Sequence, residues 1–355
     1  MMRQARPASR GMVPVGLGLA VAVAAVAWPL LPLPAYVHHV SVLALLWAAL
    51  STSWSLTGQF ELVSLGHGAF MGLGAYVPAL LLERLGLSPW MGWMAALAAS
   101  AAVMVLVGYP CFRFRVIGDY FALVTLALSE VTSLAIIAAR DVTGGSLGFT
   151  LAAVRPSSLA GQLWFMEFES RTGYYVLAWL LLALNWWVWR RIQRSRLRLA
   201  LTAVGEDEVA AASCGVSVVK SKLAISLLSA LLATSAGTLY ARYVGYINPA
   251  TVSGVTLSLQ VAFVAILGGM YAWYGPALGA AITVGLAETL RIHLGSRLAG
   301  LSEVAYGVVV ILLIVFFPRG LAGWLGPAAR RQGVAGAGPW ATRMLAVRAR
   351  RREAP

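Results

Sequence analysis

The fold class this sequence predicts is all-α: a polytopic membrane protein of about eight to ten transmembrane helices with glycine-rich broken or re-entrant segments. Three observations predict it. Of 355 residues, 60% are hydrophobic and only 11% are charged, a balance foreign to a soluble globular domain of this size. The apolar residues come in runs close to the roughly 20 residues that cross a bilayer. The basic residues cluster between those runs, so the formal charge of +14 reads as topology rather than as a nucleic-acid footprint. Cys111 and Cys214 stand alone without CxxC spacing, which argues against a disulfide framework and against a metal site.

Residues 1–10 form a basic N-terminus with Arg3, Arg6 and Arg10, expected in the cytoplasm. The apolar run 11–31 shares features with a secretory signal. It is longer than a usual signal core and is closed by Pro29, Pro32 and Pro34 without an A-x-A-like site, so it is expected to be retained as a first helix. A second span covers 39–56. Segment 57–76 then carries five glycines from Gly58 to Gly74, with Glu61 and His67 in apolar surroundings. A broken helix lining a pathway is one reading, since irregular backbone at membrane depth needs protein or water to satisfy its amides. A close-packing face of small residues is the other. Glu61 and His67 favour the first.

The third span runs to about 82, a fourth covers 90–110, and Arg113 and Arg115 mark its inner end. The fifth begins at Asp119 and carries Glu130 about 16 Å further on at roughly 1.5 Å per residue. That depth is near the midplane, where a carboxylate calls for a partner or a function. Segment 141–173 is mixed and expected outside, with Trp164 and Phe165 at the interface. The sixth span, 174–189, closes on a belt of Trp186, Trp187 and Trp189 and a run of arginines from Arg190 to Arg198. After a seventh span (223–243), Asn248, Pro249 and Gly254 suggest a second interruption before an eighth run ending at Gly268 and Gly269. Two interruptions in corresponding halves hint at an internal repeat. A ninth span opens at Tyr274, with Glu288 and Arg291 spaced to pair on one helix face. The tenth covers 304–317. Domain limits follow: a transmembrane domain over 11–326 and a flexible basic tail over 327–355, near anionic lipid.

Segment 197–222 is the polar island of the chain. Glu206, Asp207 and Glu208 suit the first turn of a short helix and Gly215 suits its left-handed stop, while Ala210 and Ala211 lie in a small-residue run that another protein can approach closely. Twenty basic residues fall on the proposed inner side and seven on the outer, which puts both termini and the island in the cytoplasm.

Several strings resemble the membrane permeases of the branched-chain amino acid ABC importer family. Gly58, Gln59, Ser64 to His67, Phe70 to Gly72 and Gly74 to Tyr76 match its G-Q-x-S-L-G-H segment and the glycine-rich helix after it. Gly118 to Glu130 resembles its G-D-Y motif, with Ser129 where glycine is more usual, and Thr143, Gly144, Gly145 and Gly148 resemble its T-G-G turn. The island keeps Glu206, Asp207, Glu208, Ala210, Ala211, Gly215 and Lys222 of the family's coupling segment, with Gly205 where a basic residue is usual. The resemblance implies a bacterial inner-membrane complex: a second permease subunit, two cytoplasmic ATPase subunits and an extracytoplasmic substrate-binding protein. It implies ATP-driven transport of branched-chain amino acids or a related small solute, through a pathway assigned to Gln59, Gly66, His67, Gly68, Glu130, Thr143, Gly144 and Gly145.

No G-x-x-x-x-G-K-[ST] phosphate loop occurs, since Gly215 to Ser221 lacks the second glycine. The chain is therefore expected to bind no cofactor, leaving ATP to its partners. An intramembrane enzyme finds no Ser-His-Asp arrangement, HExxH or clustered metal ligands to support it. A secondary transporter using Glu130 or Glu61 as an ion site remains the alternative.

Overall fold

Two antiparallel helices form the centre of the molecule. The computed structural model describes residues 28, 34–116, 118–151, 158–294, 300–317 and 320–325. The expected first crossing, both basic termini and the Pro318-Arg319 turn lie outside the described residues. The chain runs α1 (Ala35–Gly58), α2 (His67–Leu85), α3 (Pro89–Arg113), α4 (Asp119–Ala138), α5 (Arg140–Thr143), a 3-10 turn (Gly145–Leu147) and β1 (Phe149–Thr150). It continues through α6 (Leu159–Phe165), α7 (Arg171–Gln193), α8 (Arg196–Glu206), α9 (Glu208–Ser213), α10 (Val218–Val244) and β2 (Tyr246–Ile247). Then come α11 (Pro249–Val252), α12 (Gly254–Gly268), α13 (Gly275–Leu294), α14 (Leu301–Phe316) and α15 (Ala322–Leu325).

Among the described residues, five segments are long and apolar enough to cross a membrane: α1, α3, α4, α10 and the stretch Pro249–Gly268. In α1 and α10 67% of the apolar window is buried, against 28% in α3 and α4. The sequence explains the difference. The second half of α1 is apolar or small on every side and buries every residue from Ala48 to Gly58, the pattern of a helix with neighbours all round. On α4 only the stripe Phe121, Thr125, Ser129, Ser133 and Ile136 is buried, leaving an apolar face outward.

His39 near the start of α1 bonds Tyr243 at the end of α10 at 2.7 Å, and further along α1 the Ser53 carbonyl accepts from Ser229, earlier in α10, at 2.6 Å. These contacts fix α1 and α10 as antiparallel. Helix, interruption and three helices (α1, then α2 to α4) recur in opposite orientation as α10, then α12 to α14, the arrangement of an inverted repeat. The halves approach closely where α2 meets α10. A Cβ at Gly74 would lie 2.0 Å from the Thr234 carbonyl oxygen, and one at Gly237 would lie 2.2 Å from that of Met71. Thr238 donates to the Gly74 carbonyl at 2.8 Å across the same contact.

At the end away from the arginine clusters, β1 pairs antiparallel with β2, Phe149 opposite Ile247 and Thr150 opposite Tyr246. This small sheet ties the two halves together and was not expected from the sequence. The expected tryptophan belt is corrected. Trp187 is 60% exposed, but Trp189 is buried and Trp186 stands edge-on between Trp179 and Trp273 at 5.5 and 4.9 Å, because that face of α7 packs inward. Glu288 and Arg291 pair as expected at 3.8 Å, and Tyr36 donates to Glu288 at 3.0 Å.

Candidate translocation and coupling sites

The first interruption follows α1. Glu61 turns the chain with φ of 62°, a left-handed conformation unusual for a side chain of this kind, and Leu62 to Gly66 lead without regular structure into α2. A helix that starts inside a bundle exposes amides with no intrahelical partner. Gly66, at the cap position, has no side chain to serve them. Neighbouring helices do so instead: the Gly68 amide donates to Ser258 Oγ of α12 at 2.9 Å, and the Ala69 amide to Ser129 Oγ of α4 at 3.2 Å. Ser129 donates to the Leu65 carbonyl at 3.0 Å and lies 2.9 Å from Ser258, while the Leu65 amide reaches Thr125 Oγ1 at 2.9 Å. Gly68 is required by proximity, since a Cβ there would sit 2.4 Å from the Gly254 carbonyl oxygen.

The second interruption mirrors the first. Asn248 caps α11 by accepting from the Thr251 amide at 2.9 Å, and Gly254 opens α12 with φ of 88°. Glu130 is exposed on α4 beside this start, its carboxylate 3.9 Å from where a Cβ on Gly254 would be. Among the described residues it has no hydrogen bond or ion pair. Thr132, two residues further along α4, donates to the Leu128 carbonyl of its own helix at 2.8 Å.

The expected pathway residues separate into three levels. Gly66, Gly68 and Glu130 gather where the interruptions meet. His67 begins α2 beside them but is 2% exposed and turned into the packing, bonded to Ser229 at 3.0 Å, which in turn donates to the Ser53 carbonyl of α1. Gln59 lies at the basic end. Thr143, Gly144 and Gly145 lie at the opposite end, where Thr143 donates to the Ile136 carbonyl at 2.6 Å and closes the last turn of α4. Sequence reasoning passed over Thr125 and Ser258, although Thr125, Ser129 and Ser133 recur every four residues on one face of α4, a legible signal.

At the basic end the polar island folds as two helices rather than one. Glu206 is the last residue of α8, and Asp207 caps α9 by accepting from the Val209 and Ala210 amides at 2.7 and 3.0 Å. The expected three carboxylates in one first turn are therefore corrected to one, Glu208, because a capping side chain needs the non-helical backbone that Asp207 supplies. Gly215 provides the left-handed stop with φ of 84°. Ala211 is buried, while Val209, Ala210, Ala212 and Ser213 are exposed. Glu208 turns back to form an ion pair with Lys222 of α10. A cleft of about 520 Å³ between the α1–α2 turn and α8–α9 is lined by Glu61, Arg115, Glu206 and Lys222, among others. Partial burial, and then the Glu206 carboxylate, push the Glu61 carboxyl above its usual range. Cys111 is buried, Cys214 is exposed and both are free. The described residues hold no group of His, Cys, Asp and Glu side chains able to bind a metal.

Discontinuous helices meeting from opposite halves of an apolar bundle are the build of a multi-pass membrane transport protein. Comparison with known proteins narrows that class. Residues 36–317 match the family described as branched-chain amino acid transport system / permease component, and the chain belongs to that family. It is 31% identical over 321 residues to the high-affinity branched-chain amino acid transport system permease protein LivM of Salmonella typhimurium, covering 85% of this chain and 73% of the relative. Identity to the protein of the same description from Escherichia coli is 30%, with the same coverage. The probable branched-chain amino acid transport permease protein LivH of Methanocaldococcus jannaschii is 25% identical over 253 residues, 70% of this chain and 78% of the relative. No solved structure matches the chain.

Proposed function

We propose that the chain is the permease subunit of an ATP-driven importer of branched-chain amino acids or a related small solute, in the bacterial inner membrane. The observation that carries this reading is α9, a short capped helix at the basic end of a permease-family bundle with small residues exposed on its outer side. Two ATPase subunits supply the motor there. The basic residues at this end support a cytoplasmic placement for it and for both termini. The opposite end, with β1, β2 and α6, faces the extracytoplasmic binding protein.

Glu130 supports a second permease subunit. A carboxylate midway along a membrane helix is too costly to leave against lipid, so its exposed position calls for a neighbouring protein or a water-filled path. The solute then passes along this face of α4, past Gly66, Gly68 and the start of α12, between the two permeases. Gln59 lies at the inner mouth and Thr143 to Gly145 at the outer.

An Ala210→Arg variant tests the coupling role, because it adds bulk and charge on the exposed side of α9 without touching the core. The expected result is normal membrane abundance with ATPase copurification and uptake both lost. Undiminished copurification and uptake would remove α9 from the motor interface.

A further inference from the structure

The Glu208–Lys222 pair has a place in the fold that the motor contact does not require. The Lys222 side chain is 6% exposed and that of Glu208 is 22% exposed. Ala211 is the only residue of α9 that is itself buried, so this pair is its main polar fastening to the bundle. From Lys222 the contacts continue inward. Its Nζ lies 5.9 Å from the centroid of the Phe112 ring on α3, and Phe112 packs on Phe121 of α4 with centroids 5.1 Å apart. One turn on, Thr125 donates to the Phe121 carbonyl at 3.0 Å and accepts from the Leu65 amide at the first interruption.

We infer that the Glu208–Lys222 ion pair is the joint through which displacement of α9 is passed to the bundle. Glu208 is then a positioning residue rather than a motor contact. This deepens the coupling reading above and rests on it. A buried ammonium stripped of its carboxylate is strongly unfavourable, so the pair stays closed when α9 is pushed and α10 follows. The aromatic contacts behind Lys222 are close-packed and deform little, which carries the shift towards α4 and the amides that start α2. The exposed side of α9 remains free for the motor.

The test uses the assembled complex in proteoliposomes, comparing the wild type with Lys222→Met and Lys222→Arg. In Lys222→Met, ATPase copurification and ATP hydrolysis should stay within about twofold of the wild type while uptake falls about tenfold or more. Lys222→Arg, which keeps the charge, should restore uptake. Wild-type uptake in Lys222→Met overturns the joint, as does a parallel fall of copurification and uptake, the signature of a lost docking contact. If Lys222→Met does not accumulate, Glu208→Gln is read with the same measurements. Failure of both to accumulate also overturns the proposal, because the pair then serves the fold alone. A wild-type chain that never copurifies with an ATPase sinks the coupling reading itself, whereas intact coupling in Lys222→Met sinks only the joint.

Discussion

Ser129 stands where glycine is more usual in the resembling motif, and its hydroxyl serves three neighbours: the Ala69 amide, the Leu65 carbonyl and Ser258. Alanine there leaves the part-buried Leu65 carbonyl without its donor and the Ala69 amide with only the Gly66 carbonyl, at 3.0 Å, as acceptor, at a cost of about 1–3 kcal/mol. A thermal unfolding scan in detergent should show Ser129→Ala clearly destabilised. Thr132→Ala, which removes only a bond to a carbonyl of the same helix, should change little. An unchanged midpoint for Ser129→Ala would mean that water already serves these groups. The sequence made the irregular segment visible through its glycines but hid its caps, since they come from residues 60 and 190 positions away. Glu130 was legible as an isolated carboxylate at mid-depth. Its lack of a partner among the described residues was not, because that depends on how α4 packs.

At the scale of elements, hydropathy located the long helices to within a few residues because the apolar run itself is the physical requirement for crossing a membrane. It failed where a local polar contact decides the outcome. Asp207 as a cap splits the island into α8 and α9, and the β1–β2 pair forms between segments nearly a hundred residues apart, which no local pattern reveals. The tryptophans of α7 read as an interfacial belt, yet two of the three are drawn into helix packing. The α2–α10 contact makes its own prediction. A Cβ at Gly237 meets the backbone oxygen of Met71, which cannot rotate away as a side chain can. Gly237→Ala should therefore push the helices apart and destabilise the protein by about 1–3 kcal/mol. Gly285→Ala on α13, with open space at its Cβ, should be tolerated. Equal unfolding midpoints for the two variants would contradict the close approach.

For the whole molecule, the inverted halves place two discontinuous helices at one level and leave a small capped helix projecting at the basic end. On the proposed reading, that division separates the part that meets the solute from the part that meets a separate motor, in a sequence without a phosphate-binding loop. The rival account, an ion-coupled carrier working through Glu130 or Glu61, needs no second protein at all. The most direct measurement is uptake of radiolabelled leucine into proteoliposomes, with and without the ATPase and companion permease subunits, binding protein present, under ionophores that collapse ion gradients. The account predicts accumulation that requires ATP and the added subunits and survives the ionophores. Accumulation by this chain alone, driven by an ion gradient and abolished by the ionophores, would contradict it.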